Sequence, residues 1–344
     1  MFKYISMPKL IFSSRLLVFS FLITVLISLL FSIWLYRLST APVVLPATPY
    51  EFSIERGDSL RTIAQQLADT DILPNAWSFI LLSYITGYNT AIQAGEYALT
   101  KNLSPLDLLK YLSQGKVRQH TITFVEGWTF SQLKKALAEH PAIRQEIGKL
   151  SHAELLKLIG ANETAIEGIF FPDTYFFTKN SSDLTILKRA YHAMQRHLET
   201  EWLTRQKSLP LKNAYEGLIL ASIIEKETGK NEERTRIAAV FINRLRHNMR
   251  LQTDPTVIYG MGDKFNGNLR KVDLQTDHVY NTYTRSGLPP TPIAIPGLAS
   301  IRAAFNPTTT NELYFVARGD GTSHFSSTLE EHNRAVFKYQ KKRP

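Results

Sequence analysis

The residues best placed for chemistry are two glutamates, Glu225 and Glu227, which close the apolar run AYEGLILASIIEKET (214–228). At helical spacing Glu225 lies above Leu218, Ala221 and Ser222, and Glu227 above Leu220, Ile223 and Ile224. A carboxyl partly removed from water favours its neutral form, and a general acid working near neutral pH requires that form. Two solvated charges at a helix end would show the same pattern, and periodicity does not choose between the glutamates. Farther along, MRLQTDPTVIYG (249–260), YNTY (280–283) and GLPPTPIAIPG (287–297) set amides, hydroxyls and aromatic rings among prolines. Amides bond sugar hydroxyls and aromatic faces stack on pyranose rings, so Gln252, Asp254, Asn281 and Tyr283 are candidates for holding a carbohydrate, with Glu227 beside them. An ordinary rigid loop accounts for the same residues.

Other chemistries find little support. His278, His324 and His332 lack metal-ligand spacing, so neither a metal nor another cofactor is expected. Ser222 and Ser300 stand in no nucleophile-elbow pattern. The absence of cysteine removes disulfides, thiolate sites, cysteine nucleophiles and a lipoprotein anchor together. Lysine and arginine number 40 against 30 acidic residues, with a basic cluster at Lys338, Lys341, Lys342 and Arg343. These charges are dispersed and accompany no zinc-finger or RNA-binding signature, so a nucleic-acid partner is not expected.

The elements that must position the glutamates read as an α+β protein behind a membrane anchor. From Leu16 to Tyr36 the chain is uncharged and apolar, long enough for a transmembrane helix. Lys3, Lys9 and Arg15 precede it, which keeps residues 1–15 in the cytoplasm and sends the rest across. A cleaved signal peptide is the competing reading, but the apolar run is long for one and no small-x-small site follows at once. Residues 37–48, rich in proline and nearly uncharged, read as an extended linker. Residues 49–118 read as a small α+β domain: a strand at Glu51 to Ile54, a turn at Arg56 to Ser59, a helix through Leu60, Ile63, Ala64 and Leu67, a second apolar helix through Trp77 to Ile85, a strand at Gly95 to Leu99, and a helix opened by Ser104-Pro105. TITFVEGWT (121–129) and the helix after it restate strand, glycine turn and helix, as a degenerate repeat would. Residues 119–344 form a larger mixed α+β domain, with helices expected at 142–149, 153–159, 184–204, 215–226 and 234–246, and Gly229 capping the one that carries the glutamates.

GDSLRTIAQQL (57–67) resembles the opening of a LysM module, a fold that binds N-acetylglucosamine polymers. ASIIEKET, FINRLR, MRLQTDPTVIYG, YNTYTRSGLPPTPIAIPG and LYFVARGDGTSHFSSTLEEHN, with FVEGWT and EGIFFPDTY upstream, together resemble the MltG (YceG-like) family of endolytic murein transglycosylases across nearly the whole chain beyond the anchor. The resemblance implies an inner-membrane protein with a LysM-like domain and an extracytoplasmic catalytic domain. It implies cleavage of the MurNAc–GlcNAc β-1,4 bond within peptidoglycan strands, leaving 1,6-anhydro ends, and partnership with peptidoglycan synthases. It also implies that the first acidic residue of E-K-E-T, Glu225, is the catalytic acid/base. A wall-binding membrane protein that recruits synthases without turnover is the alternative.

Overall fold

The computed structural model describes residues 14–341 except Arg56, and the side chains of Ser14, Arg15 and Lys341 are not described. Lys3 and Lys9, the side chain of Arg15, Arg56 of the expected turn, and Lys342 and Arg343 of the basic tail therefore lie outside the described residues. The chain forms two compact units, 1–119 and 120–344, each with its own core.

The first unit begins with α1 (Ser14–Thr40), followed by β1 (Tyr50–Ile54), α2 (Leu60–Asp69), α3 (Ala76–Thr86), β2 (Gly95–Leu99) and α4 (Pro105–Ser113). Among the described residues α1 is the one helix long and apolar enough to cross a membrane, and its apolar side chains are exposed. The strands β1 and β2 pair antiparallel, Phe52 opposite Tyr97, and their inward residues pack on Ile63, Leu67, Phe79, Leu82, Leu108 and Leu112. Side-chain caps start all three short helices: Ser59 accepts from Thr62, Asn75 from Ser78 and Ser104 from Asp107, each cap contributing about 1 kcal/mol. The segment expected to be an extended linker is docked on this unit. The helix runs on to Thr40, Val43 is buried, its N–H donates to the Leu103 carbonyl (2.7 Å), and the Leu45 N–H donates to Asn102 Oδ1 (3.3 Å). Val43 turns to the core while the adjacent Val44 stays exposed, so a single apolar side chain in a proline-rich stretch is enough for the core to capture it.

The second unit runs β3 (His120–Thr123), α5 (Phe130–Glu139), β4 (Ile143–Arg144), α6 (His152–Ile159), β5 (Thr174–Phe177), β6 (Ser181–Ser182), α7 (Asp183–Leu203), α8 (Ala214–Glu227), α9 (Asn231–Arg246), α10 (Asp254–Met261), α11 (Lys271–Gln275), α12 (Leu298–Phe305), β7 (Tyr314–Ala317), β8 (Ser323–Ser326) and α13 (Leu329–Val336). It is a helical core with small two-stranded sheets at its margins: β3 pairs antiparallel with β5, β4 parallel with β6, and β7 antiparallel with β8. The helix expected over 142–149 does not form. The buried carboxylate of Asp183 instead accepts the N–H groups of Glu146 (3.0 Å) and Ile147 (3.2 Å), which spends in a turn the donors a helix would need. The central helix α8 is apolar all round, with Gly217 to Ile224 buried without a break, because α7, α9 and α12 enclose it. Gly217 lets α12 approach closely, since a Cβ there would sit 2.1 Å from the Phe305 ring. Extended Thr228, rather than Gly229, ends α8.

Candidate active site

The apolar character of α8 explains why its last turn can hold carboxylates at the edge of the core. Residues two apart on a helix project about 200° apart, so Glu225 and Glu227 serve different neighbourhoods. Each is built by a different stretch of chain.

Around Glu225 the proline-rich segment 287–297 is pinned to α8 and to the turn after β3. Ser222, one turn before Glu225, accepts the Ile293 N–H (3.0 Å). The Ile295 N–H donates to the Trp128 carbonyl (2.7 Å), and the Gly127 N–H donates back to the Ile295 carbonyl (2.8 Å). This register delivers the Gly297 N–H, at the start of α12, to Glu225 Oε2 (2.9 Å). On the other oxygen, Arg234 of α9 lies 3.6 Å away, and both side chains are nearly closed to solvent, 7 % and 6 % exposed. The guanidinium is itself held, since its Nε donates to Ser300 Oγ (3.0 Å) and another of its nitrogens to Asn231. Glu225 thus sits just beneath a surface on which Val125, Glu126 and Lys226 are exposed.

Glu126 is the residue that inspection of the sequence did not single out. A Cβ on Gly297 would fall 1.9 Å from its Oε1, so its carboxylate lies against the same glycine whose N–H holds Glu225. Partial burial raises the Glu126 carboxyl above the ordinary carboxylate range, the charge of Glu225 adds to this, and Arg234 opposes it. The motif FVEGWT already contained Glu126, but its proximity to Glu225 depends on a contact across 99 residues, Lys226 Nζ to the Gly127 carbonyl (3.2 Å).

On the other side of the helix end, Glu227 accepts from the Thr253 hydroxyl. Burial pushes its carboxyl up to about 7, against that hydrogen bond; Asp254 adds to the rise and Arg244 opposes it. Arg234 faces Glu225 and Arg236 is paired with Glu312, so neither of these cations answers Glu227. Asp254 starts α10 and accepts from the Tyr283 hydroxyl (2.5 Å). Gln252 is exposed, with a left-handed φ of 50°, and its N–H donates to the Thr282 carbonyl (3.1 Å). The structure therefore gathers Glu227, Gln252, Asp254 and Tyr283 into one cluster. Asn281 departs from the expected role of free sugar ligand. It is buried, its amide donates to the Asp273, Leu274 and Thr276 carbonyls, and its Oδ1 accepts the Tyr283 N–H (2.8 Å), so it shapes the loop that carries Tyr283.

Another buried carboxylate supports the Glu126 turn. Glu167 accepts the N–H of Phe130 (2.9 Å) and the hydroxyl of Tyr259 (3.1 Å), which ties α10 to the start of α5, and burial pushes it up to about 6.

The sequence profile of the YceG-like family matches residues 52–338. The chain belongs to the YceG-like family. A relative from Bacillus subtilis (strain 168), named endolytic murein transglycosylase, is 34 % identical over 315 residues, which cover 85 % of this chain and 85 % of that protein. A Streptococcus pneumoniae (strain D39) protein of the same name is 28 % identical, over 83 % of this chain and 57 % of its own length. The crystal structure of a YceG-like protein from Listeria monocytogenes superposes with a TM-score of 0.53 at 31 % identity, covering 83 % of this chain and 98 % of that one. The YceG-like match begins within β1, runs through both units to residue 338 and contains every residue of the two carboxylate clusters.

Proposed function

We propose that this chain is an endolytic murein transglycosylase, cleaving the MurNAc–GlcNAc β-1,4 bond inside peptidoglycan strands with Glu225 as acid and then base. The observation that carries the reading is a single carboxyl, nearly closed to solvent, set between a fixed guanidinium and a backbone N–H at the end of an apolar helix. In the first half-reaction the Glu225 carboxyl gives its proton to the bridging oxygen as the bond to the muramic anomeric carbon breaks. Arg234 and the Gly297 N–H are placed to hold the carboxylate that remains. That carboxylate then takes the proton of the sugar's own 6-hydroxyl, whose oxygen closes on the anomeric carbon and leaves a 1,6-anhydro end. Because the nucleophile belongs to the substrate, no water enters and no second carboxylate has to attack, unlike the paired acids of most glycoside hydrolases.

Gln252, Asp254 and Tyr283 hold sugar hydroxyls and a ring face, Glu227 fixes their loop through Thr253, and Asn281 keeps Tyr283 in register. Residues 16–36 anchor the chain in the cell membrane, N-terminus inside, with the chain beyond the helix on the extracytoplasmic side. The first unit, which starts α2 from the GDSL turn, is a LysM-like glycan-binding element, and peptidoglycan synthases are the partners whose strands the enzyme ends. Glu225→Gln keeps the shape and the helix but removes the transferable proton. On purified sacculi the variant should release no soluble anhydro-muropeptides while remaining folded, with a lowered melting temperature because Arg234 loses its buried partner. Release at a near wild-type rate defeats the assignment.

A further inference from the structure

The first unit carries an apolar face that the chemistry at Glu225 does not use. On α3, Phe79, Leu82 and Ser83 point into the core, whereas Trp77, Tyr84 and Ile85 are 58 %, 63 % and 51 % exposed. Positions 77, 81, 84 and 85 recur on one side of a helix, so the outward side of α3 is almost as apolar as its inward side. Two observations say what covers this face. The Trp77 ring stacks on Trp34 of α1, with centroids 5.5 Å apart and planes 8° apart, and Trp34 lies inside the apolar stretch that ends at Tyr36. The connection out of α1 has no slack, because Val43 is buried in the core of the unit and its N–H is bonded to Leu103. A unit held this closely to the end of a membrane-spanning helix puts Trp77 at the depth of Trp34.

We infer that the outward face of α3 lies in the interfacial layer of the same bilayer that α1 crosses, so that the first unit rests on the membrane instead of hanging from it. The inference rests on α1 spanning a membrane, as proposed above. Trp34, Tyr36, Trp77 and Tyr84 then form one aromatic belt at the depth where indole and phenol rings settle, apolar body in the acyl boundary and polar edge in the headgroups. Arg61, Gln65 and Asn75, which line the groove beside Trp77, meet the headgroups.

The full chain reconstituted in phosphatidylcholine–phosphatidylglycerol vesicles tests this with lipids brominated just below the glycerol. Trp34→Phe with Trp128→Phe and Trp202→Phe leaves Trp77 as the sole tryptophan; Trp77→Phe with the same two changes leaves Trp34. The chain contains no cysteine, so Ile85→Cys and Lys101→Cys also take a fluorophore at one position each, without removing either stacked ring. The expected result is that brominated lipid quenches Trp77 by as large a fraction as Trp34, and quenches the label at position 85 but not at exposed position 101. Quenching of Trp34 with Trp77 and position 85 untouched overturns the inference and leaves the spanning reading intact. No quenching of either tryptophan overturns both. Emission from Trp77 that ignores lipid but shifts on adding soluble glycan oligomers assigns this face to glycan and also overturns the inference.

Discussion

Arg234→Met isolates the interaction on which the Glu225 site is built. The guanidinium and the carboxylate are both more than nine-tenths buried, at 3.6 Å, so removing the cation strands a charge in a place water does not reach. Breaking one side of a buried pair costs about 3–5 kcal/mol. The separation exceeds that of a charge-assisted hydrogen bond, about 2.7–2.9 Å, which puts this pair at the lower end, about 3 kcal/mol. At roughly 2–4 °C of melting temperature per kcal/mol for a domain of this size, thermal unfolding of the detergent-solubilised chain should fall by about 6–12 °C. Glu225→Gln removes the charge that Arg234 answers. In that background Arg234→Met should cost only the hydrogen bonds to Ser300 and Asn231, about 2 kcal/mol, leaving a coupling of about 1 kcal/mol between the two positions. Equal melting losses in both backgrounds would show that Arg234 supports the fold and not the carboxylate, and the role given to it would be withdrawn.

Glu227 makes stability depend on pH. Its folded pKa, about 7, lies above the ordinary 4.5, so the folded state binds the extra proton; the stabilisation is complete below about pH 4.5 and is lost as pH rises through 7. Glu227→Gln should flatten a decline of roughly 3 kcal/mol across that window, read from melts at successive pH values, and an unchanged slope would refute the shift. Gly217→Ala places a methyl 2.1 Å from the Phe305 ring and should cost about 1–3 kcal/mol through overpacking of α8 against α12, measured by denaturant titration; a neutral result would mean the two helices separate freely. Gly297→Ala keeps an ordinary backbone conformation but displaces the Glu126 carboxylate, so turnover should fall with little change in melting, and Glu126→Ala should restore the room the methyl needs.

What could be read from the sequence was local. The apolar run ending at Glu225 and Glu227 follows from spacing alone, as do the caps at Ser59 and Ser104, because a helix and its cap are decided within a few residues. The choice between the glutamates came from family resemblance, and the structure adds only what each one touches. The polar contacts of Glu225 come from Gly297 and Arg234, and its neighbour Glu126 lies 99 positions away, so no periodicity could assemble them. Asn281 illustrates the opposite error: a polar side chain in a polar-looking loop suggested a ligand, yet a turn with several carbonyls to satisfy consumed its amide. The misread helix at 142–149 has the same origin, since the helical pattern was real but the buried Asp183 carboxylate captured its N–H groups. Proline-rich composition predicts an extended linker over 37–48 and says nothing of whether a core will accept Val43.

The origin of the oxygen at the new strand end tests the central claim most directly. Purified glycan strands digested by the full chain in ¹⁸O-labelled water should yield fragments from strand interiors whose muramic ends carry the anhydro mass and no label, because the closing oxygen comes from the sugar. Reducing ends bearing one ¹⁸O would mean that water attacks, and the cyclisation assigned to Glu225 would be wrong.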